Sequence, residues 1–472
     1  MRCLYFWVYI RIMENWNQAY STHRHGTSSS QRSWRSEFER DWDRIIFSSA
    51  FRRLQNKTQV FPLPQEVFVH NRLTHSLEVA SVGRSLAEQV GVEMAAMNTL
   101  QLTDDSREFY KFHLKHVVAS ACLAHDLGNP AFGHSGEEAI SHYFRERAAD
   151  ASFRQQFSDA QWCDLTHFEG NANALRLLTR QFSGKLDGGF RLTYSTLAAM
   201  IKYPCESLAS MGKKGPKYRS KYGFFQAEKE VFLDIATRMN LLQENEAGLI
   251  VYKRHPFVYL VEAADDICYS IIDYEDAHRL GILSCQQVIE DFIRVILLNP
   301  EEDEGRIHLL LKKVNDNNEK IAFLRAKAIN ALTLRCAKQF IGNLKALLNG
   351  DFEGDLLGSD AAVKTAMRPI AQVSVEWIYN HNTVVKIELA GYRIMGALLE
   401  DFIDAALMDS GQRTMRQRNT LSLMPQQYGF SEDASAYDRC MCILDFVSGM
   451  TDLYALKLFR NLRGIEMPGM GT

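Results

Sequence analysis

The stretch HLKHVVASACLAHDLG, residues 113–128, decides the fold class. Val117, Ala121, Ala124 and His125 recur at i, i+4, i+7 and i+8, which puts them on one face of a helix. Gly128 and then Pro130 stop it. The helix thus ends on the pair His125-Asp126, and His134, Glu137 and Glu138 follow within a dozen residues. Charges taken out of water must be paired or ligated. The segment is therefore either a solvated loop or the lining of a site that holds something charged. Imidazole and carboxylate are common ligands of divalent first-row metals, but an isolated His-Asp dipeptide is weak evidence for one.

Helical spacing continues on both sides. In HNRLTHSLEVASVGRSLAEQV, residues 70–90, Leu73, Leu77 and Ala80 share a face and His75 lies near the start. Residues 256–280, PFVYLVEAADDICYSIIDYEDAHRL, open on proline and predict about six turns of helix. Within them Asp265, Tyr269 and Asp273 fall at i, i+4 and i+8, with Glu262 three residues before. Two carboxylates and a phenol on an otherwise apolar helix are costly unless they face a polar cavity. Residues 302–348 and 398–407 also predict helix, whereas VFVH (67–70) and TVVKIEL (383–389) predict short strands.

Composition agrees with a folded, mainly α chain. The 472 residues include only 10 Pro and 28 Gly, against long disordered stretches and against an all-β fold. A net charge of -3 gives no global attraction to nucleic acid, so a polyanion must meet a local basic patch. No apolar run reaches the roughly 18 residues that span a bilayer. The 9 cysteines are scattered without a CxxC pair, the pattern of reduced thiols in a cytoplasm. Residues 1–34 read as a mobile tail, of which 1–12 are an apolar, non-functional extension with Met13 as an alternative start. Residues 35–290 read as a first helical unit and 291–472 as a C-terminal helical part; one intertwined globule fits equally. Loops are expected at MGKKGPKYRSKYG (211–223) and LNGDFEGDLLGSD (348–360).

Taken together, His75, His125-Asp126 and Asp265 give the order H…HD…D, the pattern of HD-domain metal-dependent phosphohydrolases. The texts FRRLQNKTQVFPLP, RLTHSLEV, HDLGNPAFGHSGE, HFEGNA, EAADDICY and SGMTDLYA resemble, in order, the bacterial deoxyguanosine triphosphate triphosphohydrolases. The likeness covers about residues 35–460. It implies an HD-domain helical core with additional C-terminal helices and a few short strands.

The resemblance also implies roles. His75, His125, Asp126 and Asp265 would hold a divalent ion, Mg²⁺ or Mn²⁺, since no thiolate joins the set. His134 and Glu137 would be the catalytic pair. Ser135 and Glu138 have the S-x-x-E spacing of a capping box, which would put Glu137 in a helix's first turn. Lys202 and Lys221 match phosphate-binding lysines, beside Tyr203; Arg53 is a further candidate. The basic loop adds Lys213, Lys214, Lys217 and Arg219. Tyr269 would exclude a 2′-hydroxyl, with Asp273 and Gln59 holding the 3′-hydroxyl. His167, Glu169 and Asn171 match positions near the site. Glu388 would read the base, with Arg393 and Arg418 as alternatives.

The implied reaction is hydrolysis of dGTP at the α-phosphorus to deoxyguanosine and tripolyphosphate. A broader dNTP or other nucleotide phosphohydrolase, or a non-catalytic nucleotide- or nucleic-acid-binding protein, are the alternatives. The family forms homo-oligomers, often hexamers; single-stranded DNA stays open as an effector.

Overall fold

The computed structural model describes residues 13, 15–26, 35–61, 69–182, 188–211, 216–246 and 248–466. Helices dominate, and the pairing of extended segments is limited, among the described residues, to five isolated bridges. The helices that matter for the site are α1 (Arg72–Ala96), α2 (Leu114–Ala124), α3 (Gly133–Glu146), α4 (Val258–Arg279), α5 (Asn317–Gly342), α6 (Asn382–Leu407), α7 (Ala436–Ser448) and α8 (Asp452–Leu462).

Two apolar cores organise them. One joins α1, α2, α4 and α5 through residues such as Val79, Leu123, Ile267 and Phe340. The other joins α3, α6, α7 and α8 through Ile140, Phe402, Ile443 and Leu458. Each core draws on residues from both sides of position 290, because α5 packs on α4 and α1 while α6 packs on α3. Each fully buried Leu, Ile or Phe contributes about 1.5–3 kcal/mol, so the interleaving ties both halves of the chain into one stability unit.

Local chemistry sets the helix ends that carry the site. Asn71 caps α1 by accepting the Thr74 amide at 2.9 Å, while the Thr74 hydroxyl accepts the Asn71 amide at 3.0 Å. That fixes the first turn and, with it, His75. Beyond α2, Gly128 lies so close to the start of the helix Gly170–Thr179 that a Cβ there would meet the Gly170 carbonyl oxygen at 2.0 Å. Only glycine lets the His-Asp turn pack against that neighbour.

Four expectations are corrected. TVVKIEL is helical, as the first turns of α6, and burial follows a helical period through Val384, Gly391, Ile394, Met395 and Leu398. VFVH forms no strand at Val69 and His70, and residues 67–68 lie outside the described residues. The Ser135 capping box does not form: α3 starts at Gly133, Ser135 donates to the Phe132 carbonyl, and Glu138 pairs with Arg145. Finally, residues 15–26 are not a loose tail. Trp16 is buried, its carbonyl accepts the Tyr110 hydroxyl at 2.6 Å, and Arg24 is buried against Glu37 and Asp41. Residues 1–12 and 27–34 lie outside the described residues. The helical expectation for 302–348 holds with a break at 312–316, where Asp316 caps α5.

Candidate active site

His75 faces Asp265 across the α1–α4 contact, with Nε2 at 3.2 Å from Oδ1. His125, which closes α2, brings its Nε2 to 3.4 Å from the same oxygen and 3.5 Å from Asp126 Oδ1. Donor atoms of His75, His125 and Asp126 all lie within 4.8 Å of one another. Four donors about 2.1 Å from one ion would be separated by roughly 3.0–3.4 Å. The three pairs at 3.2, 3.4 and 3.5 Å are close to that spacing.

Tautomer and charge support the same fit. The His125 Nδ1–H donates to the Cys122 carbonyl at 2.6 Å, which leaves Nε2 a lone pair. That Nε2 is buried without a hydrogen-bond partner, facing carboxylate oxygens. Lone pairs so arranged need a proton or a cation between them. Burial opposes protonation of His125, but Asp126 and Asp265 override it and push the imidazole up to about 9. The same field would draw a metal ion. Burial would raise the Asp126 carboxyl, yet the Arg72 guanidinium, followed by His125 and His75, holds it down at about 2. Arg72 donates to its Oδ2 at 2.7 Å and Asn129 to its Oδ1 at 2.6 Å.

His134 stands open at the cavity, its side chain 84% exposed, with Nδ1 at 2.8 Å from Glu137 Oε2. Glu137 is buried, and its other oxygen accepts the Gly170 amide at 2.8 Å. The carboxylate is thus fixed at both ends and orients the ring. The hydrogen bond from Glu137 raises His134 above the ordinary histidine range, against burial and the nearby Lys221 and Arg72.

Cations line the same cavity. Lys221 Nζ is 3.1 Å from Glu169 Oε2, and Lys202 Nζ is 3.5 Å from Glu262 Oε1. Glu262 also receives Arg254 at 3.0 Å and Lys217 at 3.2 Å, so three cations converge on one buried carboxylate. Lys217 also reaches Asp355 at 2.9 Å, so Lys202 and Lys221, which line the cavity, are the cations a polyanion would meet there. Lys202, Lys221 and Glu262 share one cavity of about 490 Å³ with the His-Asp cluster and His134.

Comparison with known proteins identifies the architecture. Residues 72–183 match the HD domain and residues 357–461 the phosphohydrolase-associated domain. A Synechocystis sp. protein, named deoxyguanosinetriphosphate triphosphohydrolase-like protein, is 35% identical over 464 residues, covering 96% of this chain and 100% of its own. A Pseudomonas aeruginosa relative of the same name is 38% identical over 439 residues, covering 92% and 95%. The chain belongs to this HD-domain family. A Klebsiella pneumoniae protein named deoxyguanosinetriphosphate triphosphohydrolase is 32% identical over 492 residues, covering 91% and 94%. Family membership makes the chain a metal-dependent phosphohydrolase, and the His-Asp cluster is where its metal fits. Among the described residues no helix is long and apolar enough to cross a membrane.

The cavity of this HD-domain chain gathers Gln59, His75, His125, Asp126, His134, Asn171, Lys202, Tyr203, Lys221, Asp265, Tyr269 and Glu388. Glu137 and Glu169 stand behind it, on His134 and Lys221. Asp273 does not line it: it is buried one turn beyond Tyr269 and accepts the Tyr379 hydroxyl at 3.3 Å. Burial, then Asp276, pushes its carboxyl well above the usual range. Arg53 also stays off the cavity wall. Arg393 lines a separate hollow with Tyr392 and His142, and His167 another with Trp162 and Arg145. Arg219 pairs with Glu246, and Arg418 donates to the Arg413 carbonyl. Lys213 and Lys214 lie outside the described residues. Sequence reasoning missed Arg72, Asn129 and Tyr379. Arg72 and Asn129 each sit three residues from a cluster ligand, Arg72 one helical turn before His75 and Asn129 across the turn after Asp126, which is the signal that was available.

Proposed function

We propose that the protein hydrolyses dGTP at the α-phosphorus, releasing deoxyguanosine and tripolyphosphate. One observation carries this reading: a single cavity is lined by the two-histidine, two-aspartate cluster, by His134, which the buried Glu137 holds, and by Lys202 and Lys221. When bound by His75, His125, Asp126 and Asp265, Mg²⁺ or Mn²⁺ supplies Lewis acidity toward water and phosphoryl oxygens. Lys202 and Lys221 bind the polyphosphate, and Arg72 and Asn129 keep Asp126 in place. His134 moves the proton at its Nε2, the atom left free by Glu137.

A sugar fits against Tyr269, whose ring stacks on Tyr379 at 5.3 Å between centroids and 13° between planes. A ring backed by Tyr379 and packed on the sugar's C2′ would oppose an added hydroxyl there. Tyr269→Ala is expected to erode a preference for dGTP over GTP, mostly by improving GTP, because exclusion rather than attraction sets that preference. Steady-state kinetics with both nucleotides checks it; equal discrimination in the variant would move the gate to Gln59.

The exposure of Glu388 favours a second reading, hydrolysis of several dNTPs. It sits at the cavity's rim beside apolar Val384 and Ile387, and an exposed carboxylate left unpaired by the wrong base loses little, since water replaces the partner. A panel of four dNTPs with Mg²⁺ and with Mn²⁺, products resolved by anion exchange, decides between the readings. Tripolyphosphate from dGTP alone supports the narrow one, from all four the broad one, and no turnover refutes both. If Glu388 reads guanine, Glu388→Gln and Glu388→Ala lower the dGTP/dATP ratio by about tenfold, the value of one lost hydrogen bond. An unaltered ratio in both rules it out.

A further inference from the structure

Phe132 adopts φ 61° and ψ 18°, the left-handed region that a bulky L residue avoids. Gly133 follows with φ 58°, and His134 comes next. The turn that presents His134 is therefore strained at a side chain that gains nothing from the strain locally, so something outside the turn holds it.

Two contacts do so. Asp452, the first residue of α8, is buried, and its Oδ1 accepts the Phe132 amide at 2.9 Å. From the other side, α6 approaches so closely that a Cβ on Gly391 would meet Phe132 Cβ and Cγ at 2.4 Å each. The second oxygen of Asp452 accepts the Thr58 amide at 2.8 Å, beside Gln59 on the cavity wall. Lys57 reinforces the same junction: its buried ammonium donates to the Asn129 carbonyl at 2.5 Å and to the Ser448 carbonyl, at the end of α7, at 2.9 Å.

We propose that Asp452 is a positioning residue: by holding the Phe132–Gly133 turn it aims His134 into the cavity, and by holding Thr58 it sets the facing wall. This role presupposes the hydrolase reading above, in which His134 works on the phosphoryl group. Asp452 itself touches no cavity-lining group of the cluster. Without its carboxylate the Phe132 amide is buried unpaired, and the backbone relaxes toward negative φ, swinging Gly133 and His134 away from Glu137.

The test compares Asp452→Ala, Asp452→Asn and Gly391→Ala as full-length protein. In Asp452→Ala, kcat on dGTP falls by on the order of 10²-fold, the loss that goes with about 1 Å of misplacement, while KM and Mn²⁺ affinity change little. Asp452→Asn recovers only part of the rate, because its one amide oxygen can still accept the Phe132 amide while its NH2, a donor, then faces the Thr58 amide. Gly391→Ala presses the Phe132 ring from the opposite side and loses kcat in the same selective way, which keeps the test decisive if Asp452→Ala fails to fold. A readout independent of nucleotide turnover is the pH dependence of diethylpyrocarbonate modification at His134, read by peptide mass spectrometry. Glu137, Lys221 and Arg72 are the charged groups that face this ring, and Glu137 raises it. In Asp452→Ala the midpoint moves down toward the ordinary histidine range. A moved midpoint in a protein whose wild type hydrolyses no dNTP would refute the function and support the positioning. Wild-type kcat with an unmoved midpoint, in Asp452→Ala or in Gly391→Ala, overturns the proposal, as does a loss of Mn²⁺ affinity equal to the loss of kcat.

Discussion

Asp126→Ala is expected to lose both its divalent metal and its turnover while keeping its helices. Asp126 is one of four donors, and three remaining donors around a pocket this open hold an ion far less tightly. The change also strands two partners, because Arg72 and Asn129 both donate to Asp126 and both would be left without an acceptor in a buried place. Breaking a buried charge pair by removing one partner costs about 3–5 kcal/mol, so some loss of stability accompanies the loss of metal. Asp126→Asn keeps the shape and removes the charge; its one amide oxygen can accept from Arg72 or Asn129 but not both, so it lessens the stability cost without abolishing it. The measurement is thermal unfolding with and without Mn²⁺. Wild type at about 100 times its dissociation constant gains about 2.7 kcal/mol from mass action, which raises its midpoint by a few degrees. Neither variant should gain that shift. An Asp126→Asn protein that keeps the Mn²⁺-dependent shift and normal turnover would remove Asp126 from the ligand set.

That prediction depends on residues whose convergence followed from the family resemblance, while spacing made only the local facing legible. His125 and Asp126 end a helix, where two neighbours can reach one point although they diverge by about 100°. Asp265 and Tyr269 lie about 40° apart on α4, so both face the cavity. The same arithmetic limits Asp273, which is eight residues and about 12 Å along the axis from Asp265. It shares the stripe but reaches a deeper layer, where Tyr379 takes its oxygen. Arg393 and Glu388 are five residues apart, about 140° around α6, so one cavity does not hold both. Treating TVVKIEL as a strand hid this, because a strand has no such rotation between the two positions. Local β-propensity of Val384, Val385 and Ile387 is a weak preference, and burial of one α6 face against α3 and α7 overrides it.

What stayed hidden was the long-range part. Ser135 and Glu138 meet the capping rule, but the helix begins earlier because Phe132 and Gly133 take positive φ, and that conformation is held by Asp452, 320 residues away. No window on the sequence contains both ends of that hydrogen bond. Tyr379 behind Tyr269 and Lys57 beneath Asn129 are likewise products of tertiary packing.

His134→Ala should lower kcat by about 10²–10⁴-fold while leaving KM and metal content nearly unchanged. The ring stands exposed at the cavity and makes its one close contact with Glu137, so its removal opens no core and breaks no ligand. A group that acts mainly in the transition state lowers the rate without removing ground-state contacts. Its pH behaviour is also set by geometry. The Glu137 hydrogen bond raises His134, and the proton it retains is lost only as pH rises through that raised value. If His134 donates to the leaving oxygen, kcat falls along that limb; if it takes a proton from water, kcat rises along it. Glu137→Gln removes the charge that raises the ring, so in either role the limb moves to lower pH. The kcat–pH profiles of wild type and Glu137→Gln therefore report the tuning by the position of the limb, and the role of His134 by its direction. A limb that does not move would take the tuning away from Glu137. A His134→Ala protein with unchanged kcat and a raised KM would make His134 a substrate-binding group instead.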